Sequence, residues 1–169
     1  MSIQRIYNMT NISEIMTGKV VTVPIEKDLK EIIKIMANGR ISSIVVTNKG
    51  RIAGIVTERD LIKKILLEGK NPNTMKVTSV MTPDPLSVNS HTDISEASEM
   101  MHSKNIRHLP VVDNEKLVGL ITQTDIVKET HKIHKKNRRF MTYQNIQTFI
   151  IVAFFIFLIL YLLQKKFGS

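Results

Sequence analysis

From Gly18 to Glu68 the hydrophobic positions change rhythm several times. GKVVTV is short and rich in β-branched residues, which predicts a strand near Val20–Val23, interrupted by Pro24. Leu29, Ile32, Ile33 and Met36 then recur at helical spacing and mark one apolar face. Asp28 stands at the N-cap of that helix, with Glu31 as the acid of a capping box. Gly39 supplies a stop, because glycine takes the left-handed conformation at no steric cost. ISSIVVT and RIAGIVT are two β-type runs joined by the hairpin turn Asn48-Lys49-Gly50. ERDLIKKILLE closes the unit as a second helix, with Leu61, Ile62, Ile65 and Leu66 on its inner side.

The same pattern returns 65 positions later. GIVTERD at Gly54–Asp60 recurs as GLITQTD at Gly119–Asp125. The echo runs without a gap from Met16–Ile65 onto Met81–Thr130, carrying Met16-Thr17 onto Met81-Thr82 and Asp28 onto Asp93. The second copy predicts a strand at Leu86–Val88, a helix at Asp93–Ser103, strands near His108–Val112 and Leu117–Ile121, and a helix at Gln123–Lys132. A tandem repeat of one module follows. One unit of this size is marginal alone, so 12–133 reads as one pseudo-symmetric domain. Its parts are an arm at 1–11, repeats at 12–68 and 77–133, and a linker at 69–76 with Gly-Pro-Asn punctuation. The fold class is mixed α/β (α+β), two β-α-β-β-α repeats followed by one apolar helix.

That last helix changes the picture. Phe140 to Gln164 contains no charge, and Ile146–Leu163 is strongly apolar. Its 18 residues span roughly 27 Å as a helix, close to the ~30 Å core of a bilayer. Tyr143 and Tyr161 sit near its ends, as aromatic-belt residues do. The chain carries a net charge of +9. From His131 onward there are 7 Lys+Arg and no acids, so the repeats hold only a small excess. This argues against nucleic acid as a partner of the repeats. Lys132, Lys135, Lys136, Arg138 and Arg139 precede the apolar stretch, and Lys165 and Lys166 follow it. The positive-inside bias then puts the repeats in the cytoplasm and the tail 164–169 outside a cell membrane crossed once. The basic segment 134–145 can also meet anionic headgroups. No apolar run resembles a signal peptide at the N-terminus.

The chain has no cysteine, which removes disulfides, thiolate metal sites and cysteine nucleophiles. His131 and His134 are three apart, a spacing metals use, but no carboxylate or cysteine joins them. Met36, Met100 and Met101 fall on apolar helix faces as core residues. No catalytic set emerges, so the expectation is a protein that is not an enzyme and needs no catalytic cofactor or metal.

The repeated Gly-h-h-Thr-x-x-Asp phrase has two readings. Thr-x-x-Asp opening a helix is an ordinary capping box, and it repeats because the module repeats. A strand running into a helix N-terminus also presents free N–H groups and a positive dipole end, which suit phosphate. A threonine hydroxyl adds a contact, and an aspartate accepts bonds from the two hydroxyls of a ribose.

Two such modules, each opening on Met-Thr and closing on this phrase, with LPVVD at Leu109–Asp113, resemble a tandem CBS-domain pair (a Bateman module) over residues 12–133. The resemblance implies an adenosine-type ligand (AMP, ADP, ATP or S-adenosylmethionine) in clefts between the repeats. It implies that Asp60 and Asp125 hold ribose hydroxyls and that Thr57 and Thr122 meet phosphate or ribose. It also implies that Thr22 and Val23, Ser87 and Val88, Ile44 and Val45, and Leu109 and Pro110 wall the base. Arg59 would neutralise phosphate. The second copy departs there, with Thr124 in that place, while Arg107 and His108 stand where the first copy has Ser42 and Ser43. The clefts are therefore expected to differ. The expected protein is a membrane-anchored cytoplasmic regulatory module, homodimeric through its repeats, that signals to a transporter, channel or enzyme. The rival is a membrane-tethered scaffold whose clefts stay empty.

Overall fold

The structure, a computed structural model, describes residues 10–132, 135 and 147–153. It divides into two compact units, one ending at Val127 and one starting at Lys128. In the first unit a 3₁₀ turn at Ile12–Glu14 leads to β1 (Thr22–Pro24), α1 (Leu29–Gly39), β2 (Ser43–Asn48), β3 (Arg51–Thr57) and α2 (Glu58–Leu61). α2 continues as a π-helix over Ile62–Leu67. A second 3₁₀ turn at Val77–Ser79 precedes β4 (Thr82–Pro83), α3 (Ile94–Ser103), β5 (His108–Asp113) and β6 (Lys116–Thr122). Residues 123–132 form α4, which runs into the second unit.

β1 pairs parallel with β2, and β2 antiparallel with β3. β4, from the second repeat, adds to the far side of β3 through Gly54↔Pro83 and Ile55↔Thr82. The second sheet is the β5–β6 hairpin, flanked by single bridges Val88↔Val111 and Thr17↔Leu120. Both sheets therefore follow one plan, and each is completed by the lead-in of the other repeat. The cores follow suit. Ile12, fully buried, packs with Ile94, Leu109, Val111 and Ile121 of the second repeat. Val77 and Val80 pack with Leu29, Ile32, Ile44 and Val56 of the first. Val45, Ile55 and Leu120 form a cluster spanning both sheets. Each fully buried isoleucine contributes about 1.5–3 kcal/mol, so neither repeat has its whole core within its own boundaries.

Several local expectations are corrected. β1 includes Pro24, which needs no N–H at a strand end; the next bond comes from Ile25 N–H to the Thr47 carbonyl, 2.9 Å. The Asp28 side chain makes no cap bond, and Glu31 pairs with Lys27 instead. The helix is anchored by backbone, with Leu29 N–H reaching the Met75 carbonyl at 3.4 Å. The end of segment 69–76 is thus part of the first repeat's fabric. Gly39 is still helical, and the left-handed residue is Arg40 (φ 50°), matched by Asn105 (φ 52°) in the second copy. The strand expected at Leu86–Val88 shrinks to the bridge at Val88. In the second helix only Leu61 and Ile65 pack inward; Ile62 and Leu66 are exposed, as their counterparts Val127 and His131 are in the second copy. Met36 and Met101 are buried and Met100 packs against the core.

In the second unit the described residues are helical, and Phe149, Ile150, Ile151 and Val152 are exposed. Among the described residues no helix is long and apolar enough to cross a membrane. Apart from 147–153, the expected span Ile146–Leu163 lies outside the described residues. So do residues 1–9, His134, Tyr143, the basic segment other than Lys135, and 164–169.

Candidate functional site

β3 runs straight into α2, and β6 into α4, so Thr57 and Thr122 become N-caps. Thr57 N–H and its hydroxyl both donate to Asp60 Oδ2, at 2.8 and 2.7 Å, and Asp60 N–H donates to Thr57 Oγ1 at 3.4 Å. Thr122 and Asp125 repeat this at 3.0, 2.6 and 3.3 Å. Both boxes are complete. Every bond to Asp60 goes to Oδ2, which leaves Oδ1 as an acceptor on a half-buried side chain.

The glycines that open the two phrases have a reciprocal role. A Cβ on Gly54 would lie 2.7 Å from Met81 Sδ and 2.9 Å from the Thr82 carbonyl oxygen. A Cβ on Gly119 would collide with Met16 Sδ. Each glycine admits the Met-Thr lead-in of the other repeat, and that lead-in is then held beside the opposite cap.

The result is a cleft of about 630 Å³ in the first unit, within the range of small-ligand sites. Thr57, Arg59 and Asp60 form one side. The lead-in Thr82–Leu86 and the turn from Lys104 to His108 form the others, with Thr122 and Thr124 closing it. Arg59, Lys104 and Arg107 bring positive charge; Glu58, Asp60 and Asp84 bring negative charge. Arg59 Nη1 donates to the Asn105 carbonyl at 3.5 Å. His108 Nε2 and the Ser42 hydroxyl share a 3.1 Å hydrogen bond across the two repeats. Burial pushes the His108 pKa below its ordinary 6.5, against the pull of Glu58, Asp60 and Asp125 and with the push of Arg107. His108 is therefore neutral at pH 7.

Of the residues singled out in the sequence, the cleft gathers Thr57, Arg59, Asp60, Arg107, His108 and Thr122. Ile44, Val45 and Leu109 are fully buried, and Val23, Val88 and Pro110 are buried, so these six stand in the core rather than on its wall. Thr22 and Ser87 are exposed away from it, and Asp125 caps α4 without lining it. Asp84, Pro85, Leu86, Lys104 and Asn105 were missed. Their signals were the Pro-Asp-Pro run and an asparagine after a helix, both of which mark chain reversals. The lead-in that β3 holds beside the Thr57 cap comes from the other repeat.

This paired architecture has relatives. The family profile described as CBS domain matches residues 12–67 and again 77–132. The chain belongs to the CBS-domain family. It is 34% identical over 116 residues to the uncharacterized protein MK0525 of Methanopyrus kandleri, covering 68% of this chain and 57% of that one. The chain thus spans little more than half the length of that relative. A solved CBS-domain protein from Burkholderia ambifaria superposes with a TM-score of 0.68 at 32% identity, covering 71% of this chain and 93% of its own. The CBS domain pair of protein MJ0100, solved in complex with 5′-methylthioadenosine and S-adenosyl-L-methionine, superposes at 0.64 and 25% identity. That match covers 70% of this chain and 98% of the other.

Proposed function

We propose that this CBS pair is a regulatory module that binds an adenosine-type ligand in the Asp60 cleft. The supporting observation is the geometry at Asp60: Oδ2 is spent on the cap, and Oδ1 remains beside a cavity of about 630 Å³ with cations at Arg59, Lys104 and Arg107. Oδ1 accepts ribose hydroxyls, the start of α2 and Arg59 face phosphate or carboxylate, and Leu86 and Ile106 offer apolar contact to a base. The adenosyl ligands held by the pair of MJ0100 favour the same class. Ligand bridging Asp60 and the second repeat's lead-in changes the packing of the repeats, and this is the signal passed to a transporter, channel or enzyme. The pair acts as a homodimer through its repeats, since Ile146–Leu163 contains no Gly-x-x-x-Gly seam. The apolar stretch, exposed where it is described, anchors the module in the cell membrane, with the repeats cytoplasmic and the tail outside.

Calorimetric titration with AMP, ADP, ATP and S-adenosylmethionine tests the ligand reading. Heat of binding to at least one is expected. Silence for all four supports the other reading, a tethered scaffold with empty clefts, which the two completed boxes favour. Resistance to alkaline carbonate extraction tests the anchor separately.

A further inference from the structure

Ser42 makes two bonds at the wall of the Asp60 cleft. Its carbonyl takes the N–H of Glu58, the first residue of α2, at 3.1 Å, and its hydroxyl shares the 3.1 Å bond with His108 Nε2. A single residue therefore links the imidazole to the helix start that faces ligand phosphate. The second repeat keeps the backbone half of this device, with Gln123 N–H donating to the Arg107 carbonyl at 3.0 Å. It does not keep the other half. The counterpart of His108 in the first repeat is Ser43, a buried residue that does not titrate.

The half-buried imidazole stands among charges of both signs. Glu58 and Asp60 face it from α2 and Asp125 from α4, and all three favour its proton. Burial and the neighbouring Arg107 oppose it. Arg59 on α2, Lys104 on the turn and Asp84 on the lead-in complete the charged lining of the cleft. Opposed effects hold the ring neutral, so one more negative charge beside it moves the balance. A phosphate at the start of α2 brings that charge, and an acceptor for a ring N–H as well. Linkage is reciprocal: a phosphate that strengthens proton binding is itself bound more tightly, by the same factor, when the proton is present.

We propose that the Asp60 cleft takes a phosphorylated adenosine ligand together with one proton, held on His108, so that the module reads nucleotide and acidity as a single signal. This rests on the adenosine reading of the cleft and adds the manner of its regulation. The proton comes from solvent and returns there when the ligand leaves. The imidazolium donates from both nitrogens, so the Ser42 hydroxyl becomes an acceptor and the tie between the repeats persists in the bound state.

The full chain in detergent micelles is titrated with AMP, ADP and ATP near neutral pH, in buffers of different ionisation heat. The slope of observed heat against buffer heat counts the protons taken up per ligand bound. The ligand's own phosphate contributes equally in His108→Gln, so the difference between parent and variant belongs to His108. The parent is expected to take up more, and its affinity to rise by up to about tenfold per pH unit as pH falls. The rise shrinks in the variant. The comparison runs from about pH 8 to about pH 6.5, above the range in which a phosphate monoester itself takes a proton. A second measurement needs no variant. Of the five histidines, His108 is assigned through its cross-strand neighbour Thr122, and nucleotide moves the midpoint of its resonance upward. Equal proton uptake in parent and variant, or a His108 midpoint that nucleotide leaves in place, overturns the proposal while the cleft keeps its ligand. Silence of all three nucleotides overturns it too; heat from S-adenosylmethionine then preserves the adenosine reading, and its absence removes both.

Discussion

Asp60 and Asp125 cap their helices through bonds that agree to within 0.2 Å, yet their surroundings share little chemistry. Beside Asp60 stands Arg59; beside Asp125 stands Thr124. The turn facing the Asp60 cleft brings Arg107 and His108, where the first repeat has Ser42 and Ser43. The lead-in at Asp60 is Thr-Pro-Asp-Pro-Leu, whereas the one bonded to β6 is Thr-Gly-Lys-Val-Val. Duplication kept the backbone device and released the side chains around it. The caps are alike because the fold repeats; the divergent neighbours make the two surroundings chemically distinct.

Exchanging each aspartate for asparagine puts this contrast under the heaviest load. In Asp60→Asn the amide oxygen must take the two Thr57 donors, because an NH₂ cannot accept. The amide nitrogen then faces the cleft where Oδ1 was. The cap survives and the acceptor for ribose is lost, about 1.5–3 kcal/mol for a bond to a charged group or roughly 10- to 150-fold in affinity. Asp125→Asn leaves ligand in the Asp60 cleft nearly unaffected. Titration of both variants with the tightest ligand checks this. Equal affinities in parent and variants, together with lower melting temperatures, would reduce both aspartates to caps.

The glycines sharpen the comparison through stability. Gly54→Ala meets the Thr82 backbone at 2.9 Å as well as Met81, whereas Gly119→Ala meets only the flexible Met16 side chain. Overpacking costs about 1–3 kcal/mol. The Gly54 variant belongs at the upper end, and denaturant midpoints at constant slope will order the two. If Gly119→Ala is the costlier change, the lead-ins are not held as the structure shows.

Arg59→Thr converts the first repeat to the second at one position. Arg59 is exposed, and exposed ion pairs contribute only about 0.2–1 kcal/mol, so the loss for a phosphorylated ligand is at most about fivefold. A loss near a hundredfold would show that the guanidinium is desolvated by ligand.

His108 gives the gentlest effect, a slope. Its folded pKa lies below 6.5, so between the two values the unfolded chain binds the proton and the folded chain does not. Stability is fully present above about pH 6.5 and falls as pH drops through that window. Asp113, held low by its bonds from Ser90, titrates in a more acid range. In His108→Gln the slope near pH 6.5 should vanish, which thermal melts across pH 5.5 to 7.5 on the order of half-unit steps would reveal. A persistent slope would mean another group carries it.

The repeat, the helices and the hairpins were legible because they rest on local rhythm: Leu29, Ile32 and Met36 can read only as a helix face, and the left-handed Lys49-Gly50 turn follows from its glycine. The caps were legible for the same reason, since Thr57 and Asp60 are three residues apart. The cleft was half legible. Asp84 lines the cleft with Asp60 because β4 crosses to β3, and no local pattern specifies a pairing between residues nearly thirty positions apart. The winding of Ile62–Leu67 was illegible too: a helical stripe assumes 3.6 residues per turn, and nothing in the sequence pattern marks the change to a π-helix.

The traded lead-ins also govern how the chain matures on the ribosome. Thr17 exchanges backbone bonds with Leu120, at 2.9 and 3.0 Å, and Ile12 belongs to the core built around Ile121. The first of these to be made must wait for the last. At translation speeds of about 5–20 residues per second, that wait is roughly 5–20 s. The first repeat, by contrast, closes once Met81 and Thr82 have emerged. During the interval the Ile12–Met16 stretch is an apolar stub with no home, open to chaperones or to the half-built β5–β6 hairpin of a neighbouring nascent chain.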